Sequence, residues 1–367
     1  MNVAVIGGGV IGVSSALHLA RGGAKVQLFT EAELASGASG RSLSWLNASG
    51  LWPADYYQLR MAGIDRFRTL YCNHPELSWL KFDGGVYWSD NNNEVRQWYT
   101  AESARGYDAQ LLSAQQVADL DQAITPAAVI EPAISNPGEG WVNLPDFIAH
   151  CIAEFTHLGG TLIENAGKTV PLYDAQQGVT GVHSQNNGEF LCDKVLLACG
   201  ASTVRLLAEL GVDLPDGSVL SMLAITDPVD QRPAVVLNTP RVAMRPHPGK
   251  ALAVDHSWYT DEIKPDAAGN FSVPDAVINE LLAAADQILS TSGALSLASY
   301  KAGWKPVPAD GFPVLGELEP LPGIYLAFTH SGATLSLIIG ELLSQEIITG
   351  KPHPMLASFR PGRFMTR

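Results

Sequence analysis

Val3-Ala4-Val5-Ile6-Gly7-Gly8-Gly9-Val10-Ile11-Gly12 is the stretch whose reading decides the fold. Four consecutive apolar residues ending in glycine predict a short buried strand, and the triple glycine a tight turn. Residues 10–21 then predict a helix, with Ala16, Leu17 and Leu19 on apolar positions, and residues 25–29 a second strand. Right-handed crossover makes the two strands parallel, so the chain begins as a βαβ unit. Gly7, Gly9 and Gly12 form G-x-G-x-x-G at the strand-to-helix turn. There the missing side chains let backbone amides and the helix N-terminus approach a pyrophosphate. Gly7, Gly9, Val10, Ile11 and Gly12 are therefore candidate cofactor-binding residues. The context marks a dinucleotide site but does not choose between NAD and FAD.

A ribose-binding side chain is expected about 20 residues further on, at the end of the second strand. The chain reads Leu28-Phe29-Thr30-Glu31 there. Thr30 takes the strand-end place with Glu31 next, and either can bond a ribose hydroxyl, Glu31 more strongly because it is charged. Ala35-Ser36-Gly37-Ala38-Ser39-Gly40-Arg41-Ser42 follows, a run of small and hydroxyl residues with one cation. Ser39, Gly40, Arg41 and Ser42 suit a second phosphate, which a plain NAD site does not need.

With 367 residues, 46% of them hydrophobic and 16% charged, the chain can bury a large core and is expected to form two interleaved domains. Its 37 acidic and 23 basic side chains give a formal charge of −14. That charge repels phosphate backbones and argues against a nucleic-acid partner. Cys72, Cys151, Cys192 and Cys199 show no paired metal-ligand spacing and are expected to be reduced core residues, with no metal site. No charged leader precedes the first apolar segment and no run is long enough to span a bilayer, so a cytoplasmic address is expected.

Beyond the first unit, residues 56–71 predict an amphipathic helix. Gly85-Val86-Tyr87-Trp88 predicts a strand, followed by irregular, Asn-rich sequence. A helix over 145–157, a strand near 161–164, a hairpin-like stretch through Val182 and an apolar strand over 194–198 come next. Mixed β sequence between Pro215 and Pro248 and a helix over 273–289 suggest a second layer between the nucleotide-binding segments. The last helix is expected over 334–348.

Four motifs, in order and at consistent spacing, carry a family resemblance. They are the glycine fingerprint with the 35–42 run, Val195-Leu196-Leu197-Ala198-Cys199-Gly200-Ala201-Ser202, Asp310-Gly311-Phe312-Pro313, and His330-Ser331-Gly332-Ala333-Thr334-Leu335. Together they make the chain resemble the D-amino acid oxidase family of flavoproteins, which includes glycine oxidase, sarcosine oxidase and D-amino acid dehydrogenases. The resemblance implies an α/β fold. A Rossmann-like FAD-binding domain (1–80, 141–214 and 303–367) would be interleaved with a substrate domain on a large mixed sheet (81–140 and 215–302). It further implies that Val170 meets the adenine and that Ala198, Cys199 and Gly200 run along the cofactor's middle. The amides of Gly332, Ala333, Thr334 and Leu335 would open the last helix toward the flavin, where the helix dipole favours negative charge. Gly303 stands where the family's attaching cysteine falls, and no histidine lies between Ser36 and Gly50, which implies noncovalent FAD.

The implied reaction is oxidation of a C–N bond in a small amine or amino acid, with electrons passed to O2 or another acceptor. Two alternatives stay open: a flavin-binding subunit of a heteromeric dehydrogenase with little activity alone, and a nicotinamide-dependent dehydrogenase. The chain departs from the family at Ala302-Gly303-Trp304-Lys305-Pro306, where an arginine that grips an amino-acid carboxylate is replaced by Lys305. Lysine is a point charge and cannot make the bidentate fork. Arg245, in Val242-Ala243-Met244-Arg245, could supply a second cation. Lys305, Arg245 and His330, the histidine before the glycine turn, are the candidate catalytic residues.

Overall fold

The computed structural model describes residues 1–365 apart from 268, 269 and 292. The chain divides into two units. The first comprises Met1–Gly40, Leu144–Val219 and Trp304–Arg367, the second Arg41–Asn143 and Leu220–Gly303.

The first unit is built on a six-stranded sheet in the order Val314–Glu317, Ile324–Phe328, Lys194–Leu197, Asn2–Ile6, Lys25–Phe29, Thr161–Ile163. All neighbours are parallel except the first pair. Residues 3–6 and 195–197 are buried on both faces, which is why these strands read as continuous apolar runs without alternation. Helix Val10–Arg21 follows the first strand and packs against helices Gly332–Thr349 and Leu144–His157. The first contact is close because Gly340 lies on Ser14, where a Cβ would fall 2.7 Å from the Ser14 Oγ. The long C-terminal helix stops at Gly350, whose φ of +67° a side chain would resist. A separate antiparallel sheet, Thr169–Asp174, Gly178–Ser184 and Gly188–Leu191, completes this unit.

The second unit carries an eight-stranded mixed sheet. Its order is Leu297–Lys305, Val219–Thr226, Ala251–Asp255, Ala243–His247, Val236–Asn238, Gly85–Tyr87, Ala133–Asn136, Gln110–Leu112. Val236–Asn238 runs parallel to Gly85–Tyr87, and the other registered pairs are antiparallel. Helix Asp275–Asp286 turns Ile278, Leu281, Leu282 and Ala285 into a core shared with Met222, Leu252 and Val254. This 3.6-residue spacing against period-two strands gives the expected helix-on-sheet layer.

Three expectations are corrected. Residues 41–80 belong with the mixed sheet rather than with the nucleotide unit. The reason is local: residues 43–50 are bonded to Tyr107, Glu102, Glu139 and Arg245, and helix Ala54–Asn73 is bonded to Asn47 through Arg60 and to the Gly138 carbonyl through Arg68. The Asn-rich stretch is not irregular but contains helix Asn92–Ala104, started by the Asn91 side chain, which accepts from the Asn93 and Glu94 amides. Among the cysteines, all free thiols, Cys72 is exposed, on a helix turn facing away from the core.

Candidate active site

The glycine turn is sterically committed. A Cβ on Gly7, whose φ is +130°, would lie 2.1 Å from the Ala198 carbonyl oxygen, and one on Gly12 would lie 1.9 Å from the Gly7 oxygen. Both sites are closed by backbone and admit glycine only. Gly9 differs: its missing Cβ faces the Ser39 hydroxyl at 3.2 Å. The amide of Val10, the first residue of the 12-residue helix, donates to that hydroxyl at 2.9 Å. A backbone cradle bare of side chains, at the positive end of a helix, with a hydroxyl beside it, fits the pyrophosphate of a dinucleotide.

The neighbouring motifs converge on this point. Residues 198–200 follow strand Lys194–Leu197. The Ala198 amide donates to the Ile6 carbonyl at 2.8 Å, and the Cys199 thiol donates to the same oxygen at 3.3 Å. Burial pushes that thiol up to about 12, so it stays protonated. Thr30 ends its strand buried, with its hydroxyl donating to the Glu33 carbonyl at 3.3 Å, while Glu31 beside it is exposed. Val170 lies half-buried in strand Thr169–Asp174. His330 is exposed, and helix Gly332–Thr349 begins two residues later without a side-chain cap from Ser331. A Cβ on Gly332 would come within 3.6 Å of Val10. The glycine turn, Thr30, residues 198–200 and residues 330–335 thus all stand at the carboxyl ends of parallel strands, where open α/β sheets bind ligands.

The remaining candidates lie elsewhere in the chain. Lys305 ends strand Leu297–Lys305, half-exposed, next to Trp304, which is 46% exposed. In the second unit, Ser42 accepts from the Ser44 amide at 3.1 Å. Arg41 presses its guanidinium against the Cα of Gly303, and burial lowers its pKa. Arg245 is 1% exposed. Its Nε donates to the Leu43 carbonyl and its Nη1 to the Pro246 carbonyl at 2.7 Å, while the guanidinium sits over the Trp141 ring.

Sequence reasoning missed a buried polar cluster in this second unit. Arg60, Glu102 and Glu139 are 4%, 1% and 0% exposed, and Tyr107 is buried with them. Glu139 accepts from Trp45 Nε1 at 2.7 Å and from the Tyr107 hydroxyl at 2.6 Å. Desolvation pushes its carboxyl up to about 8, against the lowering effect of those bonds and of Arg60. The local signal was an acid held between two glycines, Gly138-Glu139-Gly140. A Cβ on Gly138 would meet Arg68, and one on Gly140 would meet the Lys81 carbonyl at 2.1 Å.

Comparison with known proteins agrees with this geometry. Residues 2–346 match the family described as "DAO: FAD dependent oxidoreductase". The chain is 25% identical to the glycine oxidase of Geobacillus kaustophilus, over 94% of this chain and 92% of that protein. It is 23% identical to one of the subunits of the opine oxidase of Agrobacterium tumefaciens, over 99% and 98%. The crystal structure of the Geobacillus kaustophilus glycine oxidase superposes with a TM-score of 0.84 at 22% identity, covering 99% of each chain. A fingerprint cradle at the strand ends, a mixed-sheet second unit and a family match running almost end to end lead to one assignment: this chain belongs to the DAO family of FAD-dependent oxidoreductases.

Proposed function

We propose that the protein oxidises the C–N bond of a small amine or amino acid, with noncovalently held FAD. The observation that carries this reading is the glycine cradle at the start of helix Val10–Arg21, set inside a family match that also takes in the Gly332 turn. When bound, FAD supplies the hydride acceptor, and the imine left on the substrate is hydrolysed by water. Gly7, Gly9 to Gly12, Ser39 and residues 198–200 would hold the cofactor, with Thr30 or Glu31 on a ribose hydroxyl and Val170 by the adenine. The amides of Gly332, Ala333 and Thr334 offer partial positive charge without reorganisation. Lys305 would bind an anionic group of the substrate as a compact point charge. His330 offers an imidazole as a hydrogen-bonding group beside the glycine turn. Arg245 would contribute through the Leu43 carbonyl it holds.

The nicotinamide alternative loses its ground, since the family match extends over residues 2–346 and includes the C-terminal glycine turn. The alternative of a heteromeric enzyme gains one observation, the likeness over 99% of the chain to a protein named as a subunit. Both questions meet in one experiment. The purified protein is expected to be yellow and to release intact FAD on acid precipitation. It is further expected to turn over a member of an amine and amino-acid panel with an artificial electron acceptor. Bound FAD without turnover, restored by a partner chain, would favour the heteromeric reading, and a colourless protein that FAD cannot reconstitute would defeat both.

A further inference from the structure

Strand Val314–Glu317 runs antiparallel to Ile324–Phe328, with Val314 opposite Phe328. The chain therefore enters it at the edge where the parallel strands end, the edge that also carries the glycine turn and the turn at Gly332. The residues at that entry are Asp310-Gly311-Phe312-Pro313, one of the four motifs of the family resemblance. Paired strands lie about 4.8 Å apart, so Pro313 and Thr329 follow the Val314 and Phe328 pair on adjoining chains. Gly332 comes soon after Thr329, and a Cβ on it would fall 3.6 Å from Val10, the first residue of the fingerprint helix. Loop, turn and cradle thus line one edge of a single sheet, within the first unit.

The loop is gripped by a residue 53 positions further along the chain. Arg363 Nε donates to Asp310 Oδ2 at 2.8 Å, and its Nη2 donates to Asp310 Oδ1 at 3.1 Å and to the Phe312 carbonyl at 2.9 Å. Asp310 Oδ1 in turn accepts from the Phe312 amide at 3.0 Å. Arg363 is brought there by a C-terminal strap, the short turns Pro354–Phe359 and Pro361–Phe364, which pack on strand Val314–Glu317. The base of the strap is fastened separately. Arg360 Nη1 donates to Glu346 Oε2 at 2.8 Å and its Nη2 to Oε1, while Leu356, Phe359 and Pro361 are buried. Glu346 lies about 21 Å down its helix from Gly332, remote from the cofactor edge.

These two fastenings differ in what they can do. The base buries apolar side chains and an acid that is 3% exposed, so it holds the strap to the fold. The Arg363 and Asp310 side chains are 22% and 32% exposed, and ion pairs with that access to water add little to stability as a rule. What the planar fork adds is geometry, since one guanidinium fixes both oxygens of Asp310 and the Phe312 carbonyl at once.

We propose that Arg363 is a positioning residue of the cofactor site, holding the Asp310–Pro313 loop in the shape that walls the FAD-binding edge beside the Gly332 turn. The C-terminal strap is then a clasp on the cofactor. The inference rests on FAD lying along this edge, as read above, and not on which substrate is oxidised.

The test compares wild type with Arg363→Met, Arg363→Lys and Asp310→Asn. The readouts are FAD affinity of the apoprotein by fluorescence titration, at a temperature where each apoprotein is folded, the visible spectrum of bound flavin, and the apoprotein melting temperature. Arg363→Met is expected to weaken FAD binding about tenfold or more and to shift the flavin bands, with little change in melting because the base of the strap remains. Arg363→Lys keeps the charge without the fork and should recover part of the loss. Asp310→Asn should weaken binding in the same direction, and combining it with Arg363→Met should cost no more than Arg363→Met alone. FAD affinity and flavin bands equal to wild type in Arg363→Met would show that the strap serves the fold alone and overturn the proposal, as would additive losses in the double variant. Should Arg363→Met fail to fold, Arg363→Lys and Asp310→Asn decide by the same comparison of affinity and spectrum with wild type. A wild-type protein that binds no FAD defeats the cofactor reading itself, whereas equal binding by wild type and variants defeats the clasp alone.

Discussion

The Arg41 guanidinium fills the place a β-carbon on Gly303 would take, its Cζ 2.7 Å from that position. The only cation of the 35–42 run is thereby seated against the strand that leads to Lys305. Any side chain at 303, the cysteine of covalent flavoproteins included, competes with Arg41 for one space. Gly303→Ala is expected to displace Arg41 at about 1–3 kcal/mol, the usual cost of overpacking, and to weaken FAD binding, as Arg41→Ala is also expected to do. Because the two changes act on one contact, the double variant should be no worse than Arg41→Ala alone, a non-additivity that a double-mutant cycle of FAD affinity and melting temperature measures directly. Additive losses would show that the contact does not matter.

The glycine turn separates binding from folding. Gly12→Ala places a Cβ 1.9 Å from the Gly7 oxygen, so the turn itself must move and the apoprotein should melt at a lower temperature. The Cβ of Gly9→Leu would approach the Ser39 hydroxyl rather than backbone, and the variant is expected to keep its fold while losing FAD. Thermal denaturation of both apoproteins with FAD titration gives the comparison. Retention of full FAD affinity by Gly9→Leu would mean that the cofactor lies elsewhere.

Lys305→Met should lower kcat/KM roughly 10- to 150-fold, since a charge-assisted contact contributes about 1.5–3 kcal/mol and each decade corresponds to ~1.4 kcal/mol. FAD content should be unchanged. Lys305→Arg is expected to retain part of the activity if the lysine serves a carboxylate, and to fail with normal substrate affinity if it serves oxygen activation. Flavin reduction and reoxidation followed separately by stopped flow tell these apart. Two half-reactions indistinguishable from wild type in Lys305→Met would make the residue a bystander.

The contribution of Glu139 to stability should fall as pH rises from the ordinary carboxylate range to about 8. Glu139 has a folded-state pKa raised to about 8, above its value in the unfolded chain, so the folded form holds a proton that the unfolded form releases. Its contribution is complete below the unfolded pKa, declines as pH increases and is gone once pH passes the folded pKa. Glu139→Gln removes this dependence. The difference in melting temperature between variant and wild type should therefore move in the variant's favour from pH 5 to pH 8.5 by the equivalent of several kcal/mol, at about 1.4 kcal/mol per unit. Parallel melting curves across that range would contradict it.

The first 29 residues were legible because their signals are local: a four-residue apolar run, three glycines at fixed spacing and a helix period fall within one window. The strand over 194–198 and the last helix were equally plain, being apolar runs that end in glycine. The cluster around Glu139 was not, since its bonds join residues 94 and 32 positions apart, and the Arg245 contact joins residues 202 apart. No periodicity encodes such pairs, and a buried acid looks like a surface acid until the fold encloses it. Helix Asn92–Ala104 was missed for a different reason. Only Val95 and Glu102 of its residues are buried, so its apolar stripe is faint and its start is marked chiefly by the Asn91 cap.

Strand Asn2–Ile6 sits in the middle of its sheet, with Lys25–Phe29 on one side and Lys194–Leu197 on the other, and Ile324–Phe328 beyond that. A ribosome therefore delivers the cofactor fingerprint long before two of its sheet partners. Closing that loop of nearly two hundred residues makes assembly a late, nonlocal event. Until residue 328 has emerged, the apolar edge of Lys194–Leu197 stays open to other chains. The nascent protein thus carries an open apolar edge on the same strands whose carboxyl ends form the glycine cradle in the finished sheet.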